Sequence, residues 1–169
     1  MTSKDLKRLA ACGGAAALVL AGMMVLGSGL TARARPQEAG SHNGLEGTWR
    51  VQLTVRDCQT AAALRTFPAI FAFARGGTLT YTTAGLPPGL STPGYGLWQH
   101  TDDHSYSAVT EAFVFSSAGI WIQTHRLTRA IEIGKNADEF TDKVKLEIFG
   151  TTGNLIVTGC ATSVAQRFD

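Results

Sequence analysis

Residues 47–58, GTWRVQLTVRDC, set Trp49, Val51, Leu53 and Val55 in one phase and Arg50, Gln52, Thr54 and Arg56 in the other. Successive side chains of an extended strand leave opposite faces, so this period of two specifies a sheet with one buried and one wetted side. Further segments of strand character follow at 67–75, 78–84, 95–101, 104–116, 120–133, 139–149 and 154–166, rich in Val, Ile, Thr, Phe, Tyr and Trp. The junctions carry turn chemistry: Arg75-Gly76-Gly77, Asp102-Asp103, Ser117-Ala118-Gly119, and Gly150-Thr151-Thr152-Gly153-Asn154. The expected fold class is therefore all-β, with eight antiparallel strands in up-and-down order. Only 59–66, QTAAALRT, has the composition of a short helix.

The N-terminus differs from this pattern. MTSKDLKR is basic, residues 9–30 carry no charge, and Ala32-Arg33-Ala34 has the small-x-small pattern of a signal peptidase site. Residues 1–34 are read as a signal peptide or, since 9–30 is long enough to span a bilayer, as an uncleaved membrane anchor. Leu9-Ala10-Ala11-Cys12 resembles a lipobox but precedes the apolar run it should follow, so lipidation at Cys12 is not expected. Residues 35–46 read as a flexible linker and 47–169 as the barrel domain. The chain is expected to be exported, either secreted or periplasmic, and to meet a membrane only through 9–30 if that segment is retained. The formal charge of +2 comes from the same region. Lys4, Lys7, Arg8 and Arg33 against Asp5 leave 11 bases and 12 acids in the remainder, a net of −1 with no basic face for nucleic acid.

Export gives the cysteines a meaning. Cleavage would remove Cys12 and leave Cys58 and Cys160, which in an oxidising compartment are expected to pair. One ends the first strand and the other lies in the last, so the bond would join the two ends of the sheet and close it. If Cys58 lies opposite Cys160, Val51 lies opposite Arg167 and Trp49 is one diagonal step away. The Arg167 guanidinium could then lie over the Trp49 indole.

Gly47-Thr48-Trp49 at the start of strand one, Arg167 near the end of the last strand, and eight meandering strands between them resemble the lipocalins and the wider calycin group of small-ligand barrels. The resemblance covers 47–169. It implies a calycin-like barrel, with Trp49 and Arg167 as structural residues at its closed end and a small apolar molecule as partner.

A barrel of eight strands has room for packed side chains or one small ligand. The candidate ligand-binding residues are Phe71, Phe73, Tyr81, Trp98, Tyr106, Phe113, Trp121 and Phe140, with Phe115 also a possible lining residue. The connections 58–66 and 84–95 share a rim and would form a lid. His100-Thr101-Asp102-Asp103-His104 gathers metal-ligand types, but a two-residue turn at Asp102-Asp103 pairs Thr101 with His104 and sends the two histidines to opposite faces, so no metal is expected. With Gly119 left-handed in a three-residue loop, Phe115 faces Trp121, Phe113 faces Gln123, and Glu111 faces His125. An interior Glu111–His125 pair would be an acid and base in apolar surroundings, and these two are the candidate catalytic residues; the opposite face, with Ala112, Val114, Ile120 and Ile122, is apolar too, so a one-residue slip or a bulge would instead leave the pair in water as an ordinary cross-strand contact.

The expectation is an exported barrel that binds a small apolar ligand, with no cofactor. Two alternatives stand beside it: an enzyme of the barrel cyclase or isomerase kind, similar to allene oxide cyclase and using Glu111 and His125, and a structural or interaction module with a filled core. Nucleophile elbows, phosphate-binding glycine loops and zinc signatures are absent from the sequence.

Overall fold

The computed structural model describes residues 44–168. The segment read as signal or anchor, the apolar run 9–30, Cys12 and most of the linker lie outside the described residues. Within them the chain forms eight strands: β1 (Gly47–Arg56), β2 (Ala63–Ala74), β3 (Thr78–Thr83), β4 (Gly94–Asp102), β5 (Ser105–Phe115), β6 (Trp121–Ile133), β7 (Glu139–Gly150) and β8 (Leu155–Arg167). Each pairs antiparallel with its sequence neighbour, and β8 returns to β1, so the sheet is a closed barrel. Closure leaves no unpaired edge. Among the described residues no helix is long and apolar enough to cross a membrane.

The period of two read in the first strand is the barrel's inside and outside. Trp49, Val51 and Leu53 are buried inward, while Arg50 and Gln52 are exposed. Trp49 pairs with Phe71 on β2, and Trp49, Phe71 and Phe73 all pack against Phe140 of β7, with ring centroids 4.9, 6.4 and 6.0 Å apart. Edge and offset contacts of this kind add about 0.5–1.5 kcal/mol per pair beyond the apolar area buried. Leu45, within the stretch read as linker, is fully buried with them, and its carbonyl accepts the Trp49 Nε1 hydrogen at 2.9 Å.

Arg167 seals this end. Its guanidinium lies 4.1 Å from the Trp49 ring and donates to the carbonyl oxygens of Gly44 (2.7 Å), Glu46 (2.6 Å) and Ala137 (2.6 and 2.9 Å). Gly47 sits at φ 124°, where a side chain would also run into Arg167 Nη1 at 2.7 Å. The glycine, tryptophan and arginine that carry the resemblance thus form one plug, and the closed eight-stranded barrel is compatible with a calycin-like fold.

Cys58 and Cys160 form a disulfide, with Cα atoms 5.2 Å apart across a sequence separation of 102. The β1–β8 register differs from the expected one by two residues: Trp49 itself lies opposite Arg167, and Arg56 lies opposite Cys160. Cys58 stands beyond the end of β1 and reaches Cys160 diagonally, so the disulfide does not mark a directly opposed pair of the ladder.

The short helix expected over 59–66 does not form. The Asp57 carboxylate accepts the backbone hydrogens of Gln59 and Thr60, which starts a turn, but Ala61 at φ 59° ends it after one circuit. β2 then begins at Ala63, and Arg65 pairs with Val55. At the β4–β5 hairpin, Asp102 pairs with Ser105 and His100 with Tyr106 across a bulge, instead of Thr101 with His104. The only helical turn described is the 3₁₀ segment Pro88–Leu90.

Candidate functional site

The connections after β1, β3, β5 and β7 gather at one end of the barrel, opposite the Trp49–Arg167 plug. One of them, 84–93, is tied to β5: the Thr92 amide donates to the Phe113 carbonyl, and the Phe113 amide to Thr92 Oγ1, both at 3.0 Å. Near this end several inward positions are apolar but incompletely covered, beside the polar His125 and Gln123. Val55, Phe67, Leu146 and Ile148 are half-buried, and Val157, opposite Ile148, is 49% exposed. We describe this end as the mouth.

Between mouth and plug the inner wall turns polar. Thr110 of β5, Arg129 of β6, Asp142 of β7 and Ser163 of β8 are the buried polar residues, one on each of four successive strands. Each stands in an apolar inward row: Ala108-x-Thr110-x-Ala112, Leu127-x-Arg129-x-Ile131, Phe140-x-Asp142-x-Val144 and Ala161-x-Ser163-x-Ala165. The β6–β7 register sets Ile131 opposite Asp142 and Arg129 opposite Val144, so the charges meet on a diagonal, with Arg129 Nη1 2.6 Å from Asp142 Oδ2. Both side chains are 0% exposed.

The far wall completes the cluster. The Arg129 guanidinium carbon lies 4.5 Å from the Phe71 ring centroid and 5.8 Å from that of Tyr81. Tyr81 lies across Gly94 of β4, where any side chain would collide with its ring, so that glycine makes room for the phenol inside the barrel. Burial pushes the Tyr81 phenol above its ordinary value, opposed by the Arg129 charge and by the neighbouring Thr110 hydroxyl.

This cluster is under-satisfied. Arg129 Nε and Nη2, Asp142 Oδ1, Thr110 Oγ1 and Ser163 Oγ are buried without a well-formed hydrogen bond to any described residue. An unpartnered buried polar group costs about 1–3 kcal/mol, more when charged, so these five atoms call for ordered water or the polar group of a ligand to answer them. Nearer the mouth, His125 Nε2 is in the same condition, and burial holds its pKa below the ordinary value, toward the neutral imidazole.

Of the candidate ligand-binding residues, Phe71, Phe73, Tyr81, Trp98, Tyr106 and Phe140 face inward and belong to or border the core. Phe113 and Trp121 do not: they lie on the outer face, 49% and 41% exposed. Phe113 is outward because the even positions of β5, Tyr106 to Val114, face inward; for Trp121 the cause is a bulge. Phe115 pairs with Trp121 as the three-residue loop requires, with Gly119 at φ 75°, but the register shifts by one between Val114 and Phe115, and Val114 then pairs with Gln123. The same shift separates the candidate catalytic residues. Glu111 pairs with Arg126 on the outer face, as a salt bridge of 2.6 Å, while His125 pairs with Ala112 and faces inward. The interior acid–base pair that the sequence offered as a candidate is not formed.

Outside, Glu111, Phe113, Trp121, Thr124, Arg126 and Phe149 line an open groove of about 640 Å³ with the 150–153 turn. Among the described residues no group of three or more His, Cys, Asp or Glu is placed to hold a metal ion. Compared with known proteins, the chain matches no family model and no curated sequence.

Proposed function

We propose that this protein is an exported small barrel that takes up a small, mainly apolar molecule through its mouth and holds it in the interior. The observation that carries this reading is the graded inner wall: largely apolar and partly exposed at the mouth, with a buried ion pair and unspent hydrogen-bonding capacity midway, and sealed at the plug. Ligand pockets combine the same parts, a mostly apolar surface with a few placed polar groups. Export is supported by the Cys58–Cys160 bond, which persists in oxidising compartments, and by the signal-like N-terminal sequence.

Native mass spectrometry of protein purified from its own source tests this. The expected result is a mass excess of one small molecule per chain that disappears on denaturation. A bare-chain mass, combined with no interior response in titrations with small apolar compounds, would overturn it.

A further inference from the structure

Resting on the interior-binding reading, we infer that the Arg129–Asp142–Thr110–Ser163 cluster is an anchoring site for a neutral, hydroxyl-bearing ligand, an alcohol whose apolar body extends toward the mouth. The argument is one of charge and of donor count. Arg129 and Asp142 neutralise each other at 2.6 Å with no exposed surface on either side chain. A carboxylate or phosphate entering beside them would leave a net negative charge in a water-excluded site, and an ammonium a net positive one; either is strongly disfavoured. A neutral head group leaves the balance intact.

The unspent atoms select among neutral groups. Arg129 Nε and Nη2 can only donate, Asp142 Oδ1 as carboxylate can only accept, and the Thr110 and Ser163 hydroxyls do both. A ligand oxygen that only accepts, as in an ether, ketone or ester, would serve Arg129 and leave Asp142 Oδ1 unpaired. A hydroxyl accepts from the guanidinium and donates its own hydrogen to the carboxylate, so one atom answers both charges. Hydrogen bonds to charged groups are the stronger class, and a buried site built for a hydroxyl discriminates against an analogue that lacks its hydrogen.

The experiment compares 1-octanol, 1-methoxyoctane and octanoate at pH 7. Each is titrated into the full-length protein, with binding followed by NMR shifts of the methyl groups of Ala112, Leu127 and Val144, the buried inward residues next to the cluster on its mouth side. The flexible alkyl body is common to all three, so differences report the head group. Octanol is expected to bind about 10- to 100-fold more tightly than the ether, and more tightly than octanoate. In Arg129→Met combined with Asp142→Leu, which removes both charges and strands neither, the three should converge to within about threefold. Equal binding of octanol and ether to the native protein, tightest binding of octanoate, or undiminished preference in the double variant would overturn the anchor while leaving interior binding in place. No interior shift with any of the three would overturn the interior-binding reading itself, and the anchor with it.

Discussion

Asp142→Ala should be among the most damaging single changes available in this barrel. The substitution removes the only described hydrogen-bond partner of Arg129, whose side chain is 0% exposed and therefore cannot turn to water without opening the barrel. Stranding one member of a buried pair costs about 3–5 kcal/mol. Against a domain stability of about 5–15 kcal/mol, that is a third or more of the total in the middle of the range. Thermal unfolding should move down by roughly 10–20 °C for a domain of this size. Arg129→Met should cost a comparable amount by stranding Asp142. The double variant Arg129→Met with Asp142→Leu restores neutrality and fills the space with apolar atoms, so it should return to within about 1.5 kcal/mol of the native protein, a coupling of at least about 4.5 kcal/mol. Urea unfolding of the four proteins at pH 7 with the disulfide intact measures every corner of the cycle. Single variants that each cost less than about 1 kcal/mol would show that water reaches the pair, and would refute both its burial and the charge argument built on it.

Arg167→Ala should destabilise by about 3 kcal/mol, more than a ring contact alone would give, because the guanidinium also satisfies carbonyls at Gly44, Glu46 and Ala137; the denaturant midpoint checks it, and Arg167→Lys should recover only part. Reducing the Cys58–Cys160 bond should cost about 4–5 kcal/mol, the chain-entropy value for a closed loop of this length, read as a lower melting temperature in reductant. His125 should make stability pH-dependent in a defined direction. Burial depresses its folded-state pKa below 6.5, so above that pH both states are neutral and stability is at its plateau. As pH falls below 6.5 the unfolded chain takes the proton first, and stability declines until the folded-state pKa is passed. His125→Gln should remove that slope from the difference between the two unfolding curves.

The architecture was legible because alternation, turn residues and the two cysteines all report on local geometry. Eight strand segments, the closure of first on last, and the contact of Trp49 with Arg167 follow from them. The errors lie where one extra residue decides parity. The Ser117-Ala118-Gly119 loop indicates Phe115 opposite Trp121, and that pair forms, yet the shift immediately beyond it exchanges inside for outside on one strand relative to the other. Both faces of β5 are apolar enough to be buried, with Phe113 on one and Ala112 and Val114 on the other, so composition could not detect the slip. At 59–66 the alanines suggested a helix that the Asp57 turn and pairing with β1 override.

The buried polar cluster is carried by no motif; its signal in the sequence lies in the rows themselves. Read back from Ile133 and Ile131, the inward row of β6 continues through Arg129 to Leu127; read forward from Phe140, the inward row of β7 continues through Asp142 to Val144 and Leu146. A charge that interrupts an apolar row is ordinarily a sign that the row has been assigned to the wrong face. Two opposite charges that interrupt facing rows of one hairpin point the other way, because the 134–138 connection, by setting Ile133 opposite Phe140, places Arg129 and Asp142 on adjacent diagonal positions. Ser163 opposite Asp142, and Thr110 one diagonal step from Arg129, extend the interruption across four strands at similar depth. Any single polar residue there could be a tolerated defect. Four in register are hard to retain by accident, since each carries its own desolvation cost and an apolar substitution at any hydroxyl position would relieve it. What offsets that cost has to donate and accept within the cluster, as a water molecule or the hydroxyl of a ligand does.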